Sequence, residues 1–115
     1  MEKTMKIKTL LTAVAVLLVA GITSCTSTYL IRGAGGTTCA TVVRNMNANA
    51  EYRHVYNAWL SGYLTRYNFE HDRKLGSGFD DQALIDTALQ YCGQNPLDNF
   101  DKAAEYIIQQ LQAKS

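Results

Sequence analysis

An apolar stripe in the middle of the chain constrains the fold more than any other feature of the sequence. Large side chains recur there at spacings of 3, 1, 3, 1, 3, 1 and 3, at Tyr52, Val55, Tyr56, Trp59, Leu60, Tyr63, Leu64 and Tyr67. These spacings match the 3.6-residue period of an α-helix over about four turns. A helix with such a stripe must bury it, so the chain needs other helices that pack against this one.

Three further helices are predicted from their capping residues and apolar faces. The candidate N-caps are Thr37 or Thr38, Asp80 or Asp81, and Asp98 or Asn99. The first helix is expected from Cys39 to about Met46, and Gly93 is expected to end the third. The third and fourth helices have apolar faces made of Leu84, Ile85, Ala88, Leu89 and Cys92, and of Phe100, Ala103, Ala104, Ile107, Ile108 and Leu111. No segment of the sequence shows sustained strand alternation, so we predict an all-α fold, a small bundle of about four helices.

The glycines in and after the second helix predict two different features, a loop and a close packing contact. Residues 68 to 79, NFEHDRKLGSGF, combine charged residues with a Gly-Ser-Gly run and are predicted to form a loop. Gly62 instead lies inside the helix, where glycine costs about 1 kcal/mol relative to alanine. We expect another backbone to approach the helix closely at Gly62, because such a contact would justify a residue without a side chain.

The first 24 residues are predicted to be a signal peptide. Lys3, Lys6 and Lys8 precede a run from residue 10 to residue 20 in which every residue but Thr12 is apolar. That run is too short to span a bilayer, which takes about 20 apolar residues, but it suits the apolar region of a secretory signal.

The segment that follows, ITSC at residues 22 to 25, resembles the lipobox of bacterial lipoproteins. The resemblance implies cleavage before Cys25, thioether lipidation of its sulfur and acylation of the new amino terminus. Thr26 follows the cysteine where an aspartate would signal retention in the inner membrane, so the resemblance points to an outer-membrane anchor facing the periplasm. The alternative is ordinary cleavage near residues 19 to 21, which would release a soluble periplasmic protein with a free thiol at Cys25.

The number of cysteines supports the lipid anchor. Three cysteines in an exported chain leave one unpaired. If Cys25 carries lipid, Cys39 and Cys92 remain, and the oxidising periplasm favours a disulfide between them. Such a bond closes a loop of 54 residues, which the chain-entropy description values at about 4 kcal/mol.

Residues 25 to 37 are predicted to be the lipidated N-terminus and a flexible tether, followed by a helical domain over residues 38 to 115. The stretch TSTYLIRGAGGTT, residues 26 to 38, is rich in threonine and glycine and poor in helix formers. Fully extended, it would reach about 45 Å. The alternative is an ordered arm that packs on the domain through Tyr29, Leu30 and Ile31.

Charge and side-chain chemistry exclude several classes of function. From Cys25 onward the chain has 8 basic and 9 acidic residues, so no basic excess favours a nucleic-acid partner. The only histidines are His54 and His71, and the run Glu70-His71-Asp72 has adjacent residues, which rarely converge on one metal ion. We therefore expect no enzymatic activity, no catalytic or metal site and no cofactor.

The aromatic side chains of the second helix are the candidate partner-binding residues. They are Tyr52, Tyr56, Trp59, Tyr63 and Tyr67. Tyrosine and tryptophan are favoured anchors of protein interfaces. The alternative is that the same rings form the core, with the tyrosine hydroxyls reaching its edge.

Two motifs carry a family resemblance. They are YCGQNP, residues 91 to 96, which contains Cys92, and the aromatic-rich WLSGYL, residues 59 to 64, which lies between Cys39 and Cys92. Both occur in a chain that is predicted to be small, exported and helical. Over about residues 38 to 112 the chain is similar to the HdeA/HdeB-like family of small periplasmic proteins. That resemblance implies a disulfide-stapled helical fold and an acid-stress chaperone that binds client proteins.

The WLSGYL motif also resembles part of the Tai-type immunity proteins, which neutralise type VI secretion amidases. The leading functional hypothesis is therefore a non-enzymatic envelope protein of the HdeA/HdeB-like chaperone type. The alternative is an immunity or inhibitor protein that binds one envelope-acting effector, and the third possibility is a structural lipoprotein.

Overall fold

The computed structural model describes residues 29 to 114, and within that range the chain folds into a small bundle of four α-helices joined by one disulfide. The helices are α1 (Cys39–Ala48), α2 (Tyr52–His71), α3 (Asp81–Gln94) and α4 (Phe100–Ala113), preceded by a 3-10 turn, Gly33–Gly36. The predicted all-α fold and the predicted Cys39–Cys92 disulfide are confirmed. The predicted signal peptide, the lipidation site at Cys25 and the first residues of the predicted tether lie outside the described residues.

The helix N-termini follow the predicted caps with one exception. The Thr38 hydroxyl accepts a hydrogen bond from the backbone of Thr41 (3.4 Å) at the start of α1, and the Asp80 carboxylate accepts one from Ala83 (2.8 Å) at the start of α3. Asn99 occupies the N-cap position of α4, but its side chain makes no capping bond. The loop before α4 is instead fixed by its backbone.

That loop also completes the first turn of α1. The backbone N–H of Cys39 donates to the carbonyl of Asp98 (2.7 Å), and the N–H of Ala40 donates to the carbonyl of Pro96 (3.0 Å). These bonds satisfy two of the four N–H groups that a helix start leaves unpaired. The disulfide holds the same junction, because Cys92 precedes this loop and both cysteines are buried.

A tyrosine fixes the other side of the loop. The Tyr91 hydroxyl donates to the Asp98 carboxylate. This hydrogen bond, together with burial, raises the pKa of Tyr91 to about 12. The YCGQNP segment is therefore tied to α1 by a covalent bond and by backbone hydrogen bonds, and its tyrosine ties it to Asp98 of the following loop.

The core lies on the inner face of α4. Every position predicted for the apolar face of this helix is buried. Phe100, at its start, has no exposed surface and lies between the rings of Tyr56 (5.1 Å between centroids) and Trp59 (5.8 Å). Both ring pairs are tilted, which is a favoured arrangement for aromatic contacts.

Three expectations about glycines and helix ends are wrong. Helix α2 continues to His71, so the first four residues of the predicted loop 68 to 79 are helical. Gly93 lies inside α3, which ends one residue later at Gln94. No other part of the described chain comes within 4 Å of the position that a Gly62 side chain would occupy, so the expected close contact is absent there. The physical reason is the orientation of α2, which buries Tyr56 and Leu60 and turns Gly62 outward.

The segment expected to be a flexible tether packs on the domain from residue 29 onward. We name residues 29 to 36 the N-terminal arm. The Trp59 indole N–H donates to the carbonyl of Arg32 (3.1 Å), and the Tyr29 hydroxyl donates to the Asp101 carboxylate (3.3 Å). Gly35 is buried against the face of Trp59, and a side chain there would overlap the ring. For these residues the ordered alternative is the observed structure, because glycine supplies the space that the indole fills.

Replacing Gly35 by alanine is expected to lower the free energy of unfolding by about 1–3 kcal/mol, because the added methyl group overpacks against Trp59. The measurement is urea unfolding of the full chain, followed by the fluorescence of its single tryptophan. Gly93→Ala is the matched control, since that glycine lies in open space within a helix and its replacement is expected to stabilise by about 0.5–1 kcal/mol. Equal unfolding midpoints for Gly35→Ala and the parent chain would contradict the packed arm.

Candidate protein-binding surface

Most of the predicted partner-binding aromatics turn toward the domain. Tyr56 is buried and accepts a hydrogen bond from the Asn45 side chain (2.9 Å). Trp59, Tyr63 and Tyr67 are half-buried and pack against the core. Only Tyr52 is exposed, at the start of α2. Four of these five side chains therefore pack within the fold, and their role in binding a partner stays a prediction.

The opposite side of α2 presents a second stripe, which we name the outer α2 face. Its members follow one another at spacings of 3, 4, 3 and 4 and are all exposed: Val55, Ala58, Gly62, Thr65 and Phe69. Val55 is 56% exposed and Phe69 is 81% exposed. Over these 14 residue steps the helix rises about 21 Å. The face thus has a large apolar side chain at each end and a shallow, small-residue centre.

Val55 was expected on the buried stripe, and this placement is wrong. The predicted stripe has about two members per turn and covers a wider part of the α2 surface than the neighbouring helices bury. Tyr56 and Leu60 take the buried positions, so Val55, which is displaced by about 100° from Tyr56, is left in solvent.

Charged side chains border the outer α2 face. The Arg66 guanidinium pairs with the Glu70 carboxylate one turn away (2.7 Å), and Glu51 and His54 are exposed near the other end. An exposed pair of this kind contributes little to stability. An apolar patch with a polar border is, however, the usual arrangement of protein–protein interfaces.

A cleft of about 280 Å³ lies beneath the N-terminal arm. Its lining includes Tyr29, Arg32, Trp59, Tyr63 and Asp101. Asp101 is only 4% exposed, and among the described residues its Oδ1 atom has no hydrogen-bond partner. Partial burial is the largest cause of a raised pKa at Tyr63, and the nearby Glu105 carboxylate is the second cause. Asp101 lies in the first turn of α4.

The Glu70-His71-Asp72 run does not converge on a common point. Glu70 pairs with Arg66, whereas the ring of His71 stacks on Tyr67 (4.1 Å between centroids). Between residues 29 and 114, no group of three or more histidine, cysteine or acidic side chains is placed to hold a metal ion. None of the described helices combines the length and the apolar character that crossing a membrane requires.

The geometry defines a class, a small disulfide-stapled helical domain with an exposed apolar helix face. No protein-family model, curated protein or solved structure matches the chain.

Sequence reasoning missed the outer α2 face, although a signal was present. Val55, Ala58, Gly62, Thr65 and Phe69 repeat at helical spacing along the same segment. The charged and glycine-rich residues after Tyr67 predict a loop that includes Phe69, and Gly62 predicts a packing contact inside the helix. Without Phe69 the second stripe has only one large apolar member and does not stand out.

Proposed function

We propose that this chain is a non-enzymatic, protein-binding domain of the bacterial cell envelope. Residues 1 to 24 direct export, and lipidated Cys25 anchors the domain to the outer membrane on its periplasmic side. The observation that supports binding is the outer α2 face, where Val55 and Phe69 are exposed on an ordered helix. An exposed apolar stripe with a polar border is typical of a surface that meets another protein.

The leading form of this proposal is an HdeA/HdeB-like, acid-responsive chaperone. From Cys25 onward, protonation of 9 acidic residues leaves the chain with a charge of about +10 below pH 3–4. Repulsion among these charges loosens the helices and enlarges the apolar surface, while the Cys39–Cys92 bond limits the expansion. Client proteins that unfold in acid would bind that surface.

The alternative is an immunity or inhibitor protein that binds one effector at neutral pH. The outer α2 face favours this alternative in one respect, since it is already formed on a rigid helix of 20 residues. A preformed surface binds a single folded partner without the entropic cost of ordering. A structural lipoprotein without a client is the third possibility.

The two main forms differ in a capture experiment with the full lipidated chain, tagged at its C-terminus, in envelope extract of the same species. Stoichiometric capture of one protein at pH 7 supports the inhibitor and identifies its target. Capture of many unrelated proteins only at pH 3 supports the chaperone. Capture at neither pH argues against both and favours the structural lipoprotein.

Phe69→Asp is expected to weaken binding of a captured protein at least tenfold, because it places a charge on the apolar end of the outer α2 face. Leu97→Asp is the matched control, since Leu97 is 91% exposed and lies in the loop before α4, away from that face. Isothermal titration measures both affinities, and thermal unfolding verifies that both variants fold. Equal weakening by the two substitutions would show that the outer α2 face is not the binding surface.

A further inference from the structure

We propose that the N-terminal arm rests directly on the lipid bilayer, with Tyr29 and Leu30 in its interfacial region, so that the domain lies on the membrane surface. This inference rests on the lipidation of Cys25 in the proposed function. The proposed partner of the exposed side of the arm is the same phospholipid surface that holds the lipid anchor.

The arm belongs to the folded domain. Arg32 is bound through its carbonyl to the Trp59 indole, and Tyr29 is bound through its hydroxyl to Asp101. Gly35 lies under the indole, and the N–H of Phe100 donates to the carbonyl of Thr37 (2.8 Å). The chain is thus attached to α2 and α4 along its length from residue 29 to residue 37.

The chain between Cys25 and the arm is too short to act as a long tether. Only residues 26 to 28 separate Cys25 from Tyr29. At 3.3–3.6 Å per residue, the Cα atoms of Cys25 and Tyr29 lie within about 14 Å of each other even when the chain is extended. The expected tether of residues 26 to 38 would have allowed about 45 Å. A thioether-linked lipid holds Cys25 at the bilayer surface, so Tyr29 lies within that short distance of it.

The arm presents one aromatic and one aliphatic side chain at its exposed end. Tyr29 is 61% exposed and Leu30 is 76% exposed, although both belong to the arm that packs on the domain. Tyrosine is enriched at membrane–water interfaces, where its ring meets apolar chains and its hydroxyl meets polar groups. The interfacial region of each leaflet is about 5–8 Å thick, which is comparable with the reach from Cys25.

Charge near the arm does not oppose this contact. Arg32 is exposed on the arm itself, and a basic residue is attracted to anionic headgroups. Lys102 and Glu105 of α4 pair with each other (3.3 Å), and Asp101 is buried. The arm therefore offers the bilayer two apolar side chains and a cation without an exposed excess of acidic groups.

The test uses the full chain carrying Leu30→Cys, isolated from a host that processes lipoproteins and placed in phosphatidylethanolamine–phosphatidylglycerol vesicles. The new thiol is the only reactive one, because Cys25 carries a thioether and Cys39 is bonded to Cys92. A polarity-sensitive fluorophore on this thiol is expected to emit at shorter wavelength and to be quenched by headgroup-linked nitroxides. Ser77→Cys is the control, since Ser77 is exposed in a loop that lies by Leu111 at the opposite end of α4 from Asp101.

Quenching at position 30 that exceeds quenching at position 77 severalfold supports the inference. Equal quenching at the two positions overturns it. The intact mass of the isolated chain separates this failure from failure of the proposed anchor. If the mass shows acylated Cys25 and the probe at position 30 stays in water, the anchor stands and the membrane contact is wrong. If the mass shows no acylation, both are wrong.

Discussion

Replacing Cys39 and Cys92 together by alanine is expected to lower the free energy of unfolding by about 4 kcal/mol. The two residues are 53 positions apart, so the bond removes much of the conformational freedom of the unfolded chain. A core of this size supplies only about 3–5 kcal/mol. The double variant is therefore expected to lose about half of the stability of the disulfide-bonded domain.

The expected loss has a structural component as well. The disulfide holds the start of α1 against the end of α3, where the N–H groups of Cys39 and Ala40 donate to carbonyls of the following loop. Without the bond, hydrogen bonds and the packing of buried side chains such as Val42 must keep that junction closed. Urea unfolding followed by circular dichroism measures the change. Cys25→Ser is the control, since it also removes a cysteine but leaves the bond intact, and a loss no larger than that of the control would contradict the prediction.

The helices could be predicted from the sequence because their signals are local. The start of α1 at Cys39 and the buried face of α4 follow from a capping residue and from apolar spacing within the helix itself. The disulfide followed from the number of cysteines and the expected compartment. These inferences require no knowledge of how the helices pack.

Which side of α2 faces outward could not be predicted without knowing how the helices pack. The apolar positions on this helix cover more of its surface than α1, α3 and α4 can bury, so the sequence permits several orientations. Packing selects the one that buries Tyr56 and Leu60 and exposes Val55. The candidate binding surface is therefore a consequence of tertiary structure, and the aromatic residues that the sequence singled out became largely the support of that surface.

The sequence favours a flexible tether over the ordered arm for a related reason. Three glycines in four residues indicate flexibility when only local propensity is considered. In the fold, Gly35 meets Trp59, which is 24 positions later in the chain. A contact over that separation is invisible to local patterns, although the absence of a side chain at Gly35 is what permits it.

Phe100→Ala is expected to lower the free energy of unfolding by about 3–5 kcal/mol, the usual range for removing a fully buried phenylalanine ring. The ring has no exposed surface and contacts both Tyr56 and Trp59, so its loss leaves a cavity where α2, α4 and the arm meet. Phe69→Ala is the matched control, because Phe69 is exposed and its truncation should change stability by no more than about 0.5 kcal/mol.

Urea unfolding followed by the fluorescence of Trp59 measures the change in stability and also reports where the cavity forms. Trp59 is the single tryptophan of the chain, and loss of the neighbouring ring is expected to shift its emission to longer wavelength as water enters. Since Phe100→Ala is predicted to remove about as much stability as the core supplies, Phe100→Leu provides a milder test that retains most of the volume. This variant is expected to lose less stability and to show the same direction of shift. An unchanged Trp59 spectrum in folded Phe100→Leu, with stability equal to that of the parent chain, would show that the contacts of Phe100 do not hold α2 and the arm on α4.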